Sequence, residues 1–505
     1  MHRRGCFDRA RQRRAWPIAP IAAVAKALVL LLWPGSALAD GLGGVPLGAR
    51  TAAMGGAGVA AGRDSAMPLL NPAGLALVPR TTFQVSASLY HVQLVDRPRF
   101  NGEPQTESAR YGRLTLDRPD VRSLQFSAFP SGLAYVLHDA EYLGPVVLGA
   151  SLTVPRNIER QVVMDVQASG SGVRIADSST SIVQERQYVG GLSAALPLDR
   201  LRLGASVLFA YSSSLVTLDD SALALHEDGT FQRVDFSERL RATSYDLGVV
   251  LGAQLSVRTD LDVGLAVRVP SVHLGSDGSR AAEYTVADGQ QTPDGPLAGV
   301  AAVSQQSDLE LTLGLPFRAV LGAEYRGAGW AVAADMELVW PRAGERESRI
   351  LHTQGSAIAE LPTAIPERDR ERLRPVVNAA IGFEHRVGES SLLRVGAFTD
   401  LSAEDPDPAK LSSMMSVPID RFGLSAGWGT QLGPVDTTIG VRIAGGTGRG
   451  FRIVPAERFG TATEVLSQHL ERSDVRVLDG YVFLSAALDS TIEEALRSRK
   501  RDAPP

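Results

Sequence analysis

Few residue groups in this chain have types and spacing that suggest chemistry. Gly423-Leu424-Ser425-Ala426-Gly427 has the spacing of a nucleophile elbow, where a serine hydroxyl is pushed out on a sharp turn between a strand and a helix. Alternating residues on both sides place this serine inside a strand instead, so the context for nucleophilic attack is missing. Gly56-Ala57-Gly58 with Gly62 has a dinucleotide-loop look, yet no β-α-β unit surrounds it and no acidic partner follows at the needed distance. A P-loop lysine motif and a His-Glu-x-x-His are both absent. The eight histidines are scattered. His138 beside Asp139 and His385 beside Glu384 are the two pairs a hydrolase could use, and both fit better at a strand end or in a wall. The expectation is a protein that is not an enzyme, with no catalytic residues, no metal and no cofactor.

The ends of the chain bear on where it works. Six arginines between Arg3 and Arg14, an apolar run from Ile21 to Trp33 broken by Lys26, and Ala37-Leu38-Ala39 before Asp40 form the pattern of a secretory signal over residues 1–39. Without them the chain keeps 44 basic against 55 acidic residues, a net charge of −11, which argues against a nucleic-acid partner. Cys6, the only cysteine, lies in the signal. An exported chain without thiols has neither disulfides nor Cys-based metal sites.

After Asp40 no stretch is long and apolar enough for a transmembrane helix, so a membrane protein of this kind must be a closed barrel. Two-residue alternation recurs in segments of about ten residues, the signature of such a barrel. Phe83, Val85, Ala87 and Leu89 face one way and Gln84, Ser86 and Ser88 the other. Leu247, Val249, Leu251, Ala253 and Leu255 alternate with Asp246, Gly248, Gly252 and Gln254. Trp330, Val332, Ala334, Met336, Leu338 and Trp340 form a face with an aromatic residue at each end.

The pattern predicts fourteen strands, near 81–92, 121–138, 143–154, 181–197, 200–214, 240–257, 260–271, 308–326, 328–342, 374–387, 390–402, 418–432, 434–447 and 476–488. Their connections alternate long and short: 93–120 and 155–180 are long, while Leu198-Asp199, Arg258-Thr259, Gly327, Gly388-Glu389 and Gly433 are tight. Outer-membrane barrels have this asymmetry, with short periplasmic turns. The tail, 489–505, leaves the pattern with a short helical stretch at Ile492 to Arg499. That places the aromatic signal for barrel-assembly machinery internally, at Tyr481 and Phe483.

Charged residues fall on the face opposite the apolar stripe. Asp246, Asp262, Arg268, Arg318, Glu324, Asp335, Glu337, Glu384, Arg386, Arg394 and Asp400 are expected to make an ion-paired lumen that holds whatever lies inside, and some of the arginines are suited to a carboxylate headgroup. A candidate for the interior lies at 50–74, RTAAMGGAGVAAGRDSAMPLLNPAG. With small side chains and costly glycines it cannot stand alone in water.

Within it, Arg50, Met54-Gly55-Gly56-Ala57-Gly58-Val59-Ala60, Asp64 and Asn71-Pro72-Ala73-Gly74-Leu75 resemble the N-terminal region of the FadL/TodX family of outer-membrane transport proteins. Weaker similarities follow at Leu315-Pro316-Phe317-Arg318, Gly322-Ala323-Glu324-Tyr325, Trp330, Asn378 and Gly382-Phe383-Glu384. Leu70 stands where the family has an aromatic residue, and Ala66-Met67-Pro68 where it has a Ser/Thr-rich step. PorV-like barrels of a secretion system share a very similar motif.

The resemblance implies an all-β, 14-stranded antiparallel transmembrane β-barrel over 81–488, with 40–80 as an N-terminal hatch inside the lumen. It also implies passive uptake of hydrophobic compounds such as long-chain fatty acids in the outer membrane of a Gram-negative bacterium. The partners expected are a hydrophobic small molecule, outer-membrane lipid and barrel-assembly machinery, with the barrel a monomer. A non-transporting secretion or assembly barrel is the alternative. Arg50, Gly55, Gly56, Gly58, Asp64, Asn71, Pro72, Ala73 and Gly74 would gate the lumen. An inward kink of the third strand at Gly144, Pro145 and Gly149 would open a lateral path, with Pro130-Ser131-Gly132 as the other candidate.

Overall fold

Alternating side chains become a closed wall. The computed structural model describes residues 45–489 apart from 65, 102, 109–110, 119, 139–143, 171, 289–290, 293–294, 297–299, 307–313, 341–344, 350–365, 371–374, 404–418, 434 and 452–471. Fourteen antiparallel strands form the barrel. The first seven are β1 (Thr82–Arg97), β2 (Val121–Leu137), β3 (Val147–Gly170), β4 (Val173–Leu198), β5 (Leu201–His226), β6 (Phe231–Arg258) and β7 (Leu261–Asp288). The other seven are β8 (Phe317–Gly327), β9 (Trp330–Trp340), β10 (Val376–Val387), β11 (Ser391–Asp400), β12 (Ile419–Leu432), β13 (Val435–Phe451) and β14 (Arg472–Asp489). Each pairs with its neighbour in sequence, and β1 pairs with β14, so the fourteen strands close on themselves; three short strands, Gln105–Ser108, Gly112–Leu116 and Val300–Gln306, join the same sheet beyond the barrel ladder.

The outward face is apolar and bare. Leu192 is 71% exposed and Phe126 64%, and Trp330 and Trp340 stand at the two ends of β9 on this face. The inward face carries Ser206, Asp246 and Asp262, all buried. That polarity is the reverse of a soluble domain and fits a lipid-facing wall.

Strands β3 to β7 are far longer than predicted. Of the stretch 155–180, expected as a loop, 155–170 and 173–180 are instead the continuation of β3 and β4. The reason is an inversion of the pattern along each strand. Near the short turns of β4, Leu192 faces out and Ser193 in; towards the other end Val173 and Ile175 face in, while Arg174 and Ser178 face out. There the inward side packs under Phe100, Tyr111, Leu114 and Leu116 as a second apolar core. An alternation that changes sign part-way looks like a loop in sequence.

Two smaller departures have local causes. A register shift between Ser88 and Tyr90 flips the phase of β1, so beyond it Tyr90, Val92 and Leu94 face outward instead of continuing from Leu89. The eighth strand begins at Phe317, after Pro316, and 308–313 lie outside the described residues. The signal at 1–39 and the tail beyond Asp489 also lie outside them.

Candidate functional site

Small residues let residues 45–80 lie flat against the inner wall. The segment has two one-turn helices, Arg50–Ala53 and Met67–Leu70, and a 3-10 turn at Pro72–Leu77. As its numbering rises, the strand it touches falls. Ala53 lies on Gly427 of β12, Met54 and Gly55 on Gly396 of β11 and Gly382 of β10, Val59 on Gly322 of β8 and Gly264 of β7. Asn71 to Ala73 then lie on Gly252 of β6 and Gly204 of β5, and Leu75 on Gly149 of β3. Six of these wall glycines face one another in register: Gly204 with Gly252, Gly264 with Gly322, and Gly382 with Gly396. A methyl group on Gly427 would sit 2.6 Å from the Ala53 Cβ, so a larger residue there displaces the segment. Gly55 combines φ +73° with the Ala397 backbone as its neighbour, which excludes other residues on both counts.

Polar anchors hold one side. The Arg50 guanidinium, buried, donates to Glu324 Oε2 at 2.9 Å and to Glu384 Oε2 at 3.1 Å. Glu384 also accepts from Arg394 Nε at 2.7 Å. Burial alone would lower the Arg50 pKa, but Glu324 and Glu384 more than offset it and hold it above the usual guanidinium range. Its charge therefore stays on at every pH a cell meets. Asp335 Oδ2 accepts from the N–H groups of Gly58 and Val59, at 2.7 and 3.0 Å. Ser425 Oγ donates to the Ala53 carbonyl at 2.9 Å, so the serine of the Gly-x-Ser-x-Gly match is an anchor within β12.

Inside the segment, Asp64 accepts from the N–H of Thr51 (2.8 Å) and of Ala66 (3.1 Å) and ties its two halves together. Asn71 is fully buried. It accepts from Ala73 N–H at 3.2 Å and donates to the carbonyls of Val59 (2.7 Å) and Ala253 (3.2 Å), joining segment to segment and segment to wall. Of the other lumen charges, Arg318 pairs with Glu337, Arg268 donates to the Pro316 carbonyl, and Asp246 accepts from Ser244.

Opposite these anchors the contact is apolar. Leu47, Met67, Leu69, Leu70, Leu75 and Val78 pack with wall residues of β2 to β6, among them Val136, Val189, Leu208 and Val250, and Phe129 of β2 packs against this cluster. Beside it the wall parts. β2 and β3 pair only between Gly132/Thr153 and Leu137/Leu148. From Val121 to Ser131, β2 keeps its ladder to β1 and, among the described residues, has none to β3. Both strands are irregular at the parting: the β1 to β2 register skips Ser131, and the β3 to β4 register skips Val154 and Pro155. This corrects the predicted position. Gly144 and Pro145 lie in the turn before β3, and Gly149 is regularly paired with Val136 and Ser193. Pro130-Ser131-Gly132 is where the ladder changes.

The barrel has solved counterparts. A FadL homologue of Pseudomonas aeruginosa is 16% identical with a TM-score of 0.53, the match covering 88% of this chain and 99% of that one. The P. putida toluene transporter TodX is 16% identical with a TM-score of 0.51, covering 89% and 99%. The chain has the fold of these barrels. No family model and no curated protein matches it in sequence. TodX is a toluene transporter, and its deltaS2S3 mutant is a monoaromatic hydrocarbon channel.

Of the two histidine pairs, the Asp139 half of one lies outside the described residues. His138 ends β2's turn side, its backbone exchanging hydrogen bonds with Thr81 Oγ1, and His385 lies on the exposed part of β10 beside Phe383. Sequence reasoning passed over His91, which contacts Ser127 Oγ (3.2 Å) and Asp479 (3.5 Å). Its ring lies flat on Tyr481, and Asp479 is already held by Gln93 at 2.7 Å, which makes this a packed polar layer of the wall.

Proposed function

We propose that the chain is an outer-membrane channel for passive uptake of hydrophobic compounds, gated by residues 45–80. The observation that carries the reading is the two-sided seating of this segment: polar against β6 and β8 to β12, apolar against β2 to β5, with the parted β2/β3 ladder beside the apolar side. Apolar contacts are non-directional and reform after sliding, whereas the buried ion pairs do not. The hatch therefore yields on the side where a greasy ligand arrives and where the wall leads to lipid. The toluene transporter among its structural neighbours supports a hydrophobic cargo, and long-chain fatty acids are the second class to test.

The test is uptake of radiolabelled oleate and radiolabelled toluene by cells with the gene intact, deleted, or carrying Asn71→Ala. Deletion is expected to slow the entry of at least one of the two, and unchanged entry of both would sink the proposal. The secretion-partner reading draws on the tall outer wall of β3 to β7 with its own core. It predicts unchanged uptake together with loss of a secreted product on deletion.

A further inference from the structure

On β6 the outward face runs without a break from Leu255, Leu251 and Leu247 through Tyr245 to Arg241 and Arg239. Tyr245 belongs to a row with Tyr211 and Tyr188 that sits in register across three strands, the rings 5.4 and 6.2 Å apart. Such a row marks the water edge of the hydrocarbon, and a barrel's apolar band is about 25 Å tall. From Val257 at the short-turn end to Tyr245, the strand covers roughly that height at about 3.3 Å per residue and a tilt of about 40°. Arg241 and Arg239 thus stand on the lipid-facing side, one and two steps beyond Thr243, at headgroup level.

Both guanidinium groups are exposed, and among the described residues neither has a hydrogen-bond or ion-pair partner. In register beside them are Leu215 and Thr217 of β5 and Ser279 and Ala281 of β7. Acids on this face, Asp277 towards the membrane and Asp219 and Glu283 farther out, form no ion pair with either arginine. Arg280, by contrast, faces the lumen and is paired with Glu238 at 2.8 Å.

We infer that Arg239 and Arg241, with the Thr217 and Ser279 hydroxyls, form a binding site for a phosphorylated lipid headgroup of the outer leaflet. Two forked cations one strand repeat apart suit phosphate oxygens, and a lipid whose chains lie on Leu247 and Leu251 presents its headgroup there. The inference rests on insertion with the long hairpins outward, and not on what the channel carries.

The protein in nanodiscs of phosphatidylethanolamine doped with bis-phosphorylated lipid A, or with the same lipid stripped of phosphate, would be examined by native mass spectrometry. The wild type is expected to retain the phosphorylated form, and Arg239→Gln with Arg241→Gln to lower retention about tenfold or more. Arg233→Gln, at the tip and paired with Asp235, is expected to leave it unchanged, and millimolar inorganic phosphate should not displace the lipid. Equal retention by the double variant, equal binding of the stripped lipid, or displacement by free phosphate overturns the site. Heat-modifiable gel mobility confirms that each variant is a folded barrel. If uptake is normal in the double variant while retention falls, the two readings separate cleanly.

Discussion

Arg50 and Asn71 do most of the fastening, by different means. Removing Arg50 leaves Glu324 and Glu384 buried without their shared partner, a loss of about 3–5 kcal/mol for a broken buried pair. Arg50→Ala is therefore expected to raise hydrogen exchange across residues 50–64 by orders of magnitude while the strand ladders stay protected. Lowering the pH does not mimic the variant from the arginine side, since Arg50 keeps its charge. Asn71→Ala takes the acceptor from the Ala73 N–H and leaves the Val59 carbonyl to the Gln254 amide alone, a cost of about 1–3 kcal/mol, read as faster exchange at residues 59 and 71–75. Equal exchange in wild type and both variants would mean that these contacts do not hold the segment. Both residues were legible in the sequence through the motif they belong to. Their partners were legible only as a class, because alternation tells that Glu324 and Glu384 point inward and nothing in it tells that one guanidinium reaches both.

Among the elements, the wall glycines and the parted ladder matter most. Valine at Gly252 and Gly427 fills the space of Asn71 and Ala53, so the double substitution is expected to unseat the segment. Planar-bilayer recordings should then show a steady ion conductance severalfold above the wild type. For the lateral path, cysteines at Gln125 and Gln161 exploit a natural contact, the Gln125 side-chain amide lying against the backbone of Glu159 and Gln161 across the parting. Beyond Cys6 the sequence offers no competing thiol. A short bis-methanethiosulfonate linker between them is expected to block uptake, and dithiothreitol to restore it; uptake indifferent to the linker would place the exit elsewhere. Sequence found the strands but placed the kink too early, because a proline in a strand-like stretch looks the same whether it falls in the turn before the strand, as Pro145 does, or at a break in the ladder inside it, as Pro155 does. Strand length was lost for another reason. Where Val173 and Ile175 turn inward, the water-exposed half of β4 obeys soluble-protein patterning and no longer matches the lipid-facing half.

For the whole molecule, fourteen pairings close a wall that does not need the segment to keep its ladders. Deleting residues 40–80 is expected to leave a heat-modifiable barrel that leaks small ions. A chain that fails to reach the membrane would instead make the segment part of the folding core. Closure and strand number were readable from period-two alternation and loop asymmetry, which are properties of the bilayer and of connection geometry. The course of the interior segment was not, since small residues carry little directional information and several strands offer them equal seats.

That course has one more consequence. The segment is tied by ion pairs to β8 and β10, and its other end runs into β1 at Thr82. If the segment gates as proposed, its fastening at both ends keeps it from drifting away when displaced. Its return is a first-order event governed by a tether of a few tens of residues, at an effective concentration in the millimolar range. Closure after each passage would then proceed at the same rate whether the membrane holds ten copies or ten thousand, with no partner and no energy source to reset it.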